Sequence, residues 1–259
     1  MLAEGVRRAG GTLVCVQMAG SSPLLKSTAD VFARMEPGDW ERLFDIWKAH
    51  GVSEVLLAGR FNRVALPAAL AGGDEAARAF LAQHSERGDQ HFLQTFARML
   101  GGMGIAVIDQ RTYARDLIPG PGRLAGSPLS SEEERDVALG LGVARTLAEQ
   151  EVGQTLILKG GVMLAVEAAE GTDAAIRRGG AMAPAAVVVK VSRPRQDPRF
   201  DLPTIGPETV EAMAAVRARV LAVEAGRTIV LARETLAAAA VQARITVTAV
   251  EAPPLPGVP

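Results

Sequence analysis

This 259-residue chain predicts an α/β protein of two domains, and three observations carry that expectation. Helical and extended patterns alternate over residues 1–118, as βαβ units and a parallel sheet require. Hydrophobic residues make up 48% of the chain but aromatics only 4%. The core must therefore be packed with Ala, Val, Leu and Ile, which suits helices laid on sheets. The length exceeds the ~100–200 residues typical of one domain, and the stretch PGPGRLAGSPLSS, from Pro119 to Ser131, is too rich in Pro, Gly and Ser to hold helix or strand for long.

The elements follow in order. LAEGVRRAGG reads as a helix closed by glycine, and TLVCVQM as a strand that contains Cys15. DWERLFDIWKAHG is an amphipathic helix with Trp40, Leu43, Phe44 and Trp47 on one face and Gly51 as its stop. SEVLLAG is a strand, Asp74–His84 and Gln90–Leu100 are helices, and GIAVID is a strand. Residues 1–118 thus read as a Rossmann-like parallel α/β domain that opens on a helix, without the strand such domains usually begin with. Residues 119–131 read as a linker.

Residues 132–259 read as a C-terminal mixed α/β domain, which holds the candidate chemistry below. Ser130 and Ser131 precede Glu133 and Glu134 at capping-box spacing, and Val137, Leu141, Ala144 and Ala148 recur at helical intervals. TLILKGGVMLAVEA is a hairpin about Gly160-Gly161, and AVVVKVS is a strand. GPETVEAMAAVRARV is a helix with Pro207 in its first turn. RVLAVEAGRTIVLA reads as a second hairpin about Ala225-Gly226; a last helix, the strand ITVTAV and a frayed tail, PPLPGVP, complete the chain.

Charge and composition exclude several functions. A formal net charge of -1 argues against broad attraction to nucleic acid. The single cysteine, Cys15, allows neither an internal disulfide nor a cysteine zinc site, and it fits a reducing compartment. The longest uncharged run, Ala9 to Leu25, is broken by Gly and Pro before it could span a bilayer. His50, His84 and His91 lack metal-cluster spacing and read as helix-surface groups. The chain has no GxxxxGK[ST] loop.

Two segments carry candidate chemistry. In VEAAEGTDAAIRRGG, strand alternation puts Ala165 and Glu167 on one side, and the chain then passes through Glu170-Gly171-Thr172-Asp173 into a helix. Gly171 would let backbone approach a phosphate at a helix N-terminus, although the spacing alone favours Thr172 or Asp173 as a structural cap. In KVSRPRQDPRFDLPTIG, Lys190 alternates away from Val187, Val189 and Val191. Arg193, Arg195 and Arg199 then flank Asp197 and Asp201 between prolines. Cations of this kind can neutralise phosphoryl oxygens, and one or two carboxylates are what Mg²⁺ usually takes from a protein. Local ion pairs in a solvated loop would account for the same composition. Both segments follow strands and lead into helices, so they can meet at one sheet edge as a magnesium-phosphate site.

At these residues the sequence resembles the LpxI-type UDP-2,3-diacylglucosamine pyrophosphatases. The resemblance rests on VGQTLILKGGVMLAVEAAEGTDAAIRRGG, AVVVKVSRPRQDPRFDLPTIG and VLAVEAGRTIVL in that order, with weaker likeness upstream at ERGDQHFL and EVLLAGRFNR. It implies Mg²⁺-dependent hydrolysis of the pyrophosphate of UDP-2,3-diacylglucosamine to UMP and 2,3-diacylglucosamine 1-phosphate in lipid A synthesis. Asp201 stands at the aspartate of the DLPTIG motif and is the first choice for an essential acidic residue and metal ligand, with Asp173 as its companion and Glu170 as a further candidate ligand. Lys190 matches the VVVKV strand as a catalytic cation. Gly171, Thr172, Arg177, Arg178, Thr204 and Asp89 are the implied substrate-binding residues. The identity of any general base stays open.

The resemblance further implies cytoplasmic action on a glycolipid nucleotide, with peripheral contact at the inner membrane made through that lipid. It implies no nucleic-acid partner and leaves a homo-oligomer open. Two departures stand out: family members usually open with a strand and glycine-rich turn like GLIAGxGxLP, and their GDD is GDQ here, at Gly88, Asp89 and Gln90. They motivate an alternative reading, a catalytically silent nucleotide-sugar or lipid-binding protein on the same scaffold.

Overall fold

A computed structural model describes residues 2–18, 26–59, 66–84, 89–193, 197–200 and 202–251. The chain divides into two compact units, Met1–Ala114 with Pro198–Asp201, and Arg115–Asp197 with Leu202–Pro259. Among the described residues no helix is long and apolar enough to cross a membrane.

In the first unit, helix α1 (Leu2–Arg8) precedes strands β1 (Val14–Met18) and β2 (Val31–Met35), which pair in parallel. Strand β1 is the expected one, and Cys15 within it is half-buried; desolvation raises its thiol pKa. Helix α2 (Trp40–Ala49) buries Trp40, Leu43 and Trp47, the stripe read from its spacing. The C-terminal residue after α2, His50, is exposed as expected; the side chains of His84 and His91 lie outside the described set. SEVLLAG and GIAVID form ladder only at β3 (Glu54–Val55) and β4 (Ala106–Val107), paired in parallel.

Helices α3 (Leu66–Ala71), α4 (Glu75–His84), α5 (Asp89–Gly102) and α6 (Arg111–Ala114) fill out the unit. Trp40, Phe80 and Phe96 centre its core, with ring centroids 5.0 and 5.2 Å from Trp40. The Pro198–Phe200 segment belongs here: Gln110 donates its backbone N–H to the Pro198 carbonyl at 3.2 Å and its side-chain amide to the Phe200 carbonyl at 3.4 Å.

The second unit is built on six strands: β5 (Gly122–Ala125), β6 (Thr155–Lys159), β7 (Val162–Val166), β8 (Val187–Lys190), β10 (Val220–Glu224) and β12 (Thr246–Val250). They lie in the order β5-β12-β10-β8-β6-β7, with β8, β10 and β12 mutually parallel and the outer three antiparallel to their neighbours. The Pro- and Gly-rich 119–131 segment therefore contributes an edge strand. An edge needs only one ladder, which this composition tolerates.

Helix α7 (Ser131–Glu149) carries the full capping box: Glu133 N–H donates to Ser130 Oγ, and Ser130 N–H to Glu133 Oε2. Its Val137, Leu141, Ala144 and Ala148 pack on one sheet face with Leu156, Val187, Val189 and Ala222. Buried Asp136, also on α7, accepts the N–H groups of Gly160 and Gly161 at 2.8 and 2.7 Å and pins the β6–β7 turn. Both glycines have positive φ, 57° and 78°, which the two-residue turn demands. Helices α8 (Thr172–Gly180), α9 (Pro207–Ala215) and α10 (Arg233–Gln242) cover the other face over Ile157, Ala165, Val188, Leu221 and Val247.

The hairpin expected at Ala225-Gly226 does not form. Both edges of β10 are occupied by β8 and β12, and the next strand, β11 (Ile229–Val230), pairs in parallel with β9 (Thr204–Ile205) in a separate two-stranded ladder. All five β10 residues are buried, the mark of a central parallel strand with no room for a hairpin partner.

Candidate functional site

The site grows from one row across the sheet. Thr155 opens β6 and is the register partner of Lys190 at the end of β8, so their side chains share the face covered by α8, α9 and α10. Glu167 follows β7 directly and donates its N–H to the Thr155 carbonyl at 2.8 Å, which adds it to the row. Strand parity thus brings a carboxylate, a hydroxyl and an ammonium to one end of an otherwise apolar sheet face.

Lys190 is only 8% exposed. An ammonium so buried is tolerable only with partners. Its Nζ donates to Thr172 Oγ1 and to the Thr204 carbonyl, each at 3.0 Å. The Thr172 hydroxyl, in turn, donates to Glu167 Oε1 at 2.9 Å. Lys190, Thr172 and Glu167 therefore form a relay from cation to anion through one hydroxyl. Two atoms beside the relay, Glu167 Oε2 and Thr155 Oγ1, are buried without a hydrogen-bond partner. Leaving such a group unmatched costs about 1–3 kcal/mol, a cost that packing does not require.

Local sequence explains the placement. Gly171 is the N-cap of α8 and has φ of 84°, a conformation that suits glycine, while a Cβ there would meet nothing within 4 Å. The expected cap by Thr172 or Asp173 is not what forms: both lie inside the first turn, and with Gly171 capping by backbone alone the Thr172 hydroxyl is free to join Lys190. Asp173 is half-buried in that turn. Thr204 meets Lys190 through its carbonyl, since its own hydroxyl turns back to Leu202.

The charged residues after β7 have a different arrangement. Arg178 donates to Glu170 Oε1 at 2.6 Å and to the Val166 carbonyl at 2.8 Å, while Glu170 Oε2 accepts the Ala168 N–H at 3.2 Å. Both oxygens of Glu170 are engaged in clamping the β7–α8 turn. The hydrogen bond from Arg178 holds its carboxyl below the usual range. Arg177 is exposed in the last turn of α8.

Asp201 lies outside the described residues, and with it the expected meeting of Asp173 and Asp201. Asp89 begins α5, and its side chain is likewise outside the described set. Among the described residues no group of three or more His, Cys, Asp or Glu is placed to hold a metal ion. The sequence signals bring Lys190, Thr172 and Thr204 to one place; they give Glu167 its strand parity but no role in the site, and they leave Thr155 unmarked. That parity, shared with buried Ala165, is the signal for Glu167.

A second polar cluster lies on the α7 face. Glu224, at the end of β10 and 3% exposed, accepts the Ser192 N–H at 2.9 Å. It is approached by Arg145 Nη1 at 3.5 Å and Arg227 Nη1 at 3.6 Å. This carboxylate fixes the chain two residues beyond Lys190.

Comparison with known proteins agrees in both halves. The family model described as LpxI N-terminal domain matches residues 1–117, and that described as LpxI C-terminal domain matches residues 120–248. A curated protein of Caulobacter vibrioides, UDP-2,3-diacylglucosamine pyrophosphatase LpxI, is 30% identical over 214 residues, covering 78% of this chain and 76% of that protein.

Proposed function

The chain belongs to the LpxI family, and from that premise we propose that it is an enzyme of lipid A biosynthesis, a UDP-2,3-diacylglucosamine diphosphatase. The observation that carries this reading is the buried Lys190 ammonium, held by Thr172 and the Thr204 carbonyl at the N-terminal turn of α8. A fixed cation beside helix N–H groups favours a phosphoryl group.

The reaction adds water across the anhydride. The water oxygen bonds to one phosphorus and the bridging P–O bond breaks, giving UMP and 2,3-diacylglucosamine 1-phosphate. Lys190 offsets charge on the phosphoryl oxygens, and the N–H groups after Gly171 orient them. Because Thr172 gives its proton to Glu167 Oε1, its lone pairs face Lys190 and hold the ammonium in place.

Mg²⁺ fits the donor chemistry of the segment. The ion typically takes one or two carboxylates from a protein and fills its other positions with phosphate and water. Asp201 and Asp173 would hold it; Glu170 suits that role less, since both its oxygens are engaged. When bound, the ion supplies Lewis-acid polarisation of the phosphoryl oxygens. The diacyl substrate brings the enzyme to a membrane surface on the cytoplasmic side.

The test is direct. Incubated with UDP-2,3-diacylglucosamine and Mg²⁺, the protein should release UMP, lose that activity in EDTA and regain it with added Mg²⁺. Asp201→Ala should abolish release while leaving the melting temperature near that of the parent. Tight substrate binding with no UMP at high protein concentration would instead support the catalytically silent binder.

A further inference from the structure

The relay ends on a carboxylate where a neutral amide could also accept a hydrogen bond, though a weaker one. A Gln amide oxygen would accept the Thr172 hydroxyl more weakly, yet it would not bury an anion with one oxygen, Oε2, unmatched. The flanking Thr155 hydroxyl, on a residue 1% exposed, is also without a partner and brings no compensating hydrogen bond. Stability therefore does not explain the charge at this position. What the charge does face, across a single hydroxyl, is the Lys190 ammonium.

We propose that Glu167 is a positioning residue for the reaction: acting through the Thr172 hydroxyl, its carboxylate fixes the direction and the charge environment of Lys190. This rests on the hydrolytic reading above and deepens it. Thr172 can accept a hydrogen bond from Lys190 only along its lone pairs, and those point at Lys190 because the hydroxyl hydrogen is committed to Glu167. Replacing the carboxylate with a weaker amide acceptor loosens the hold on the hydroxyl. The ammonium then loses both its aim and the nearest negative charge in the relay, while the Thr204 carbonyl remains. A residue acting this way influences turnover more than substrate affinity, and its influence vanishes once Thr172 lacks a hydroxyl.

The experiment uses the full chain and four variants, Glu167→Gln, Thr172→Val, Thr172→Ser and the Glu167→Gln/Thr172→Val pair. Two readouts are taken on each. The first is UMP release from UDP-2,3-diacylglucosamine, resolved into kcat and KM. The second, independent of activity, is the rate of reductive methylation at Lys190 followed by mass spectrometry, with Lys26, Lys48 and Lys159 as internal references.

We expect Glu167→Gln to lower kcat about 10-fold or more with KM within about 3-fold, a loss in the range of one positioned hydrogen-bond group or less. Thr172→Ser should restore most of what Thr172→Val loses. The double variant should be no slower than Thr172→Val alone, because the two residues act in series. Lys190 methylation should accelerate severalfold in Glu167→Gln and Thr172→Val alike, relative to the other lysines.

A Glu167→Gln enzyme with kcat within twofold of the parent, or losses that multiply in the double variant, would overturn the inference. If the parent protein releases no UMP, the hydrolytic reading fails instead, and methylation still decides the relay: unchanged Lys190 labelling in both single variants rejects it.

Discussion

The Lys190 ammonium and the Thr172 hydroxyl meet at 3.0 Å although the two residues are 18 positions apart and on different elements. One is the last residue of a buried interior strand, the other the first residue of a helix capped by glycine. The C-terminal end of β8 thus sets a cation beside the N-terminal turn of a helix, a pairing suited to an anionic ligand.

Lys190→Met keeps the apolar stem and removes the charge. It should slow UMP release about 100-fold or more, the scale seen when one electrostatic group aimed at developing charge is deleted. Its structural cost should be smaller, at ~1 kcal/mol for each of its two hydrogen bonds, equivalent to about 4–8 °C in a chain of this size. Parallel rate and thermal-melt measurements separate the two. Comparable losses in both would mean that Lys190 serves the fold.

Glu224 has the opposite signature. It is 3% exposed and shared by Arg145, Arg227 and the Ser192 N–H. Glu224→Ala leaves the Arg145 guanidinium, whose Nε already lacks a partner, buried without its counter-charge. Breaking a buried pair on one side costs about 3–5 kcal/mol, and urea denaturation should show a loss of that size. Arg227→Ala should cost under about 1 kcal/mol, because its side chain is 37% exposed and the pair is screened.

Residues differ in how legible they were from sequence, and the reason is the range of the interaction involved. Local signals read correctly: Ser130 with Glu133 forms the capping box, and Gly160-Gly161 forms the hairpin turn. Lys190 was placed by strand parity alone, since Val187, Val189 and Val191 fall on the opposite face, against α7. What failed depends on partner choice between distant strands. The Ala225-Gly226 turn looks like a hairpin within its own window, but β10 takes β8 and β12 as neighbours, a choice no local pattern encodes.

The role of Glu167 in the site is hidden for a related reason. A glutamate just after an exposed edge strand normally reads as solvent-facing, and only the backbone bond to Thr155 with the hydroxyl bond from Thr172 reveals it as part of the row. Residues 122–125 escaped because Pro and Gly content argues against a central strand yet permits an edge one.

Gly153 gives a steric handle on the same site. A Cβ at that position would fall inside the Glu167 carbonyl, so Gly153→Ala must push the end of β7 away from the start of β6. Overpacking of this kind costs about 1–3 kcal/mol, and it should displace Glu167 and lower kcat as well. Gly142→Ala is the control. That glycine lies within α7 and a Cβ there would meet nothing within 4 Å, so the substitution should stabilise by ~0.5–1 kcal/mol through helix propensity with turnover unchanged.

The Glu170–Arg178 pair predicts a small acid-range dependence of stability whose sign follows from the depressed carboxyl. The hydrogen bond from Arg178 lowers the folded-state pKa of Glu170 below its ordinary value of 4.5. The group therefore contributes stability that is complete above the unfolded value and is lost as pH falls through the folded one. Both partners are substantially exposed, 48% for Arg178 and 34% for Glu170, so the contribution is screened and should stay below ~1 kcal/mol. Thermal melts of the parent and of Glu170→Gln between about pH 3 and pH 6 should converge at the acid end and separate slightly above it, with the parent the more stable. Raising salt to about 1 M, where screening acts over ~3 Å, should shrink the separation. A gap that instead widens toward low pH would reverse the assignment and show that the folded state favours protonated Glu170.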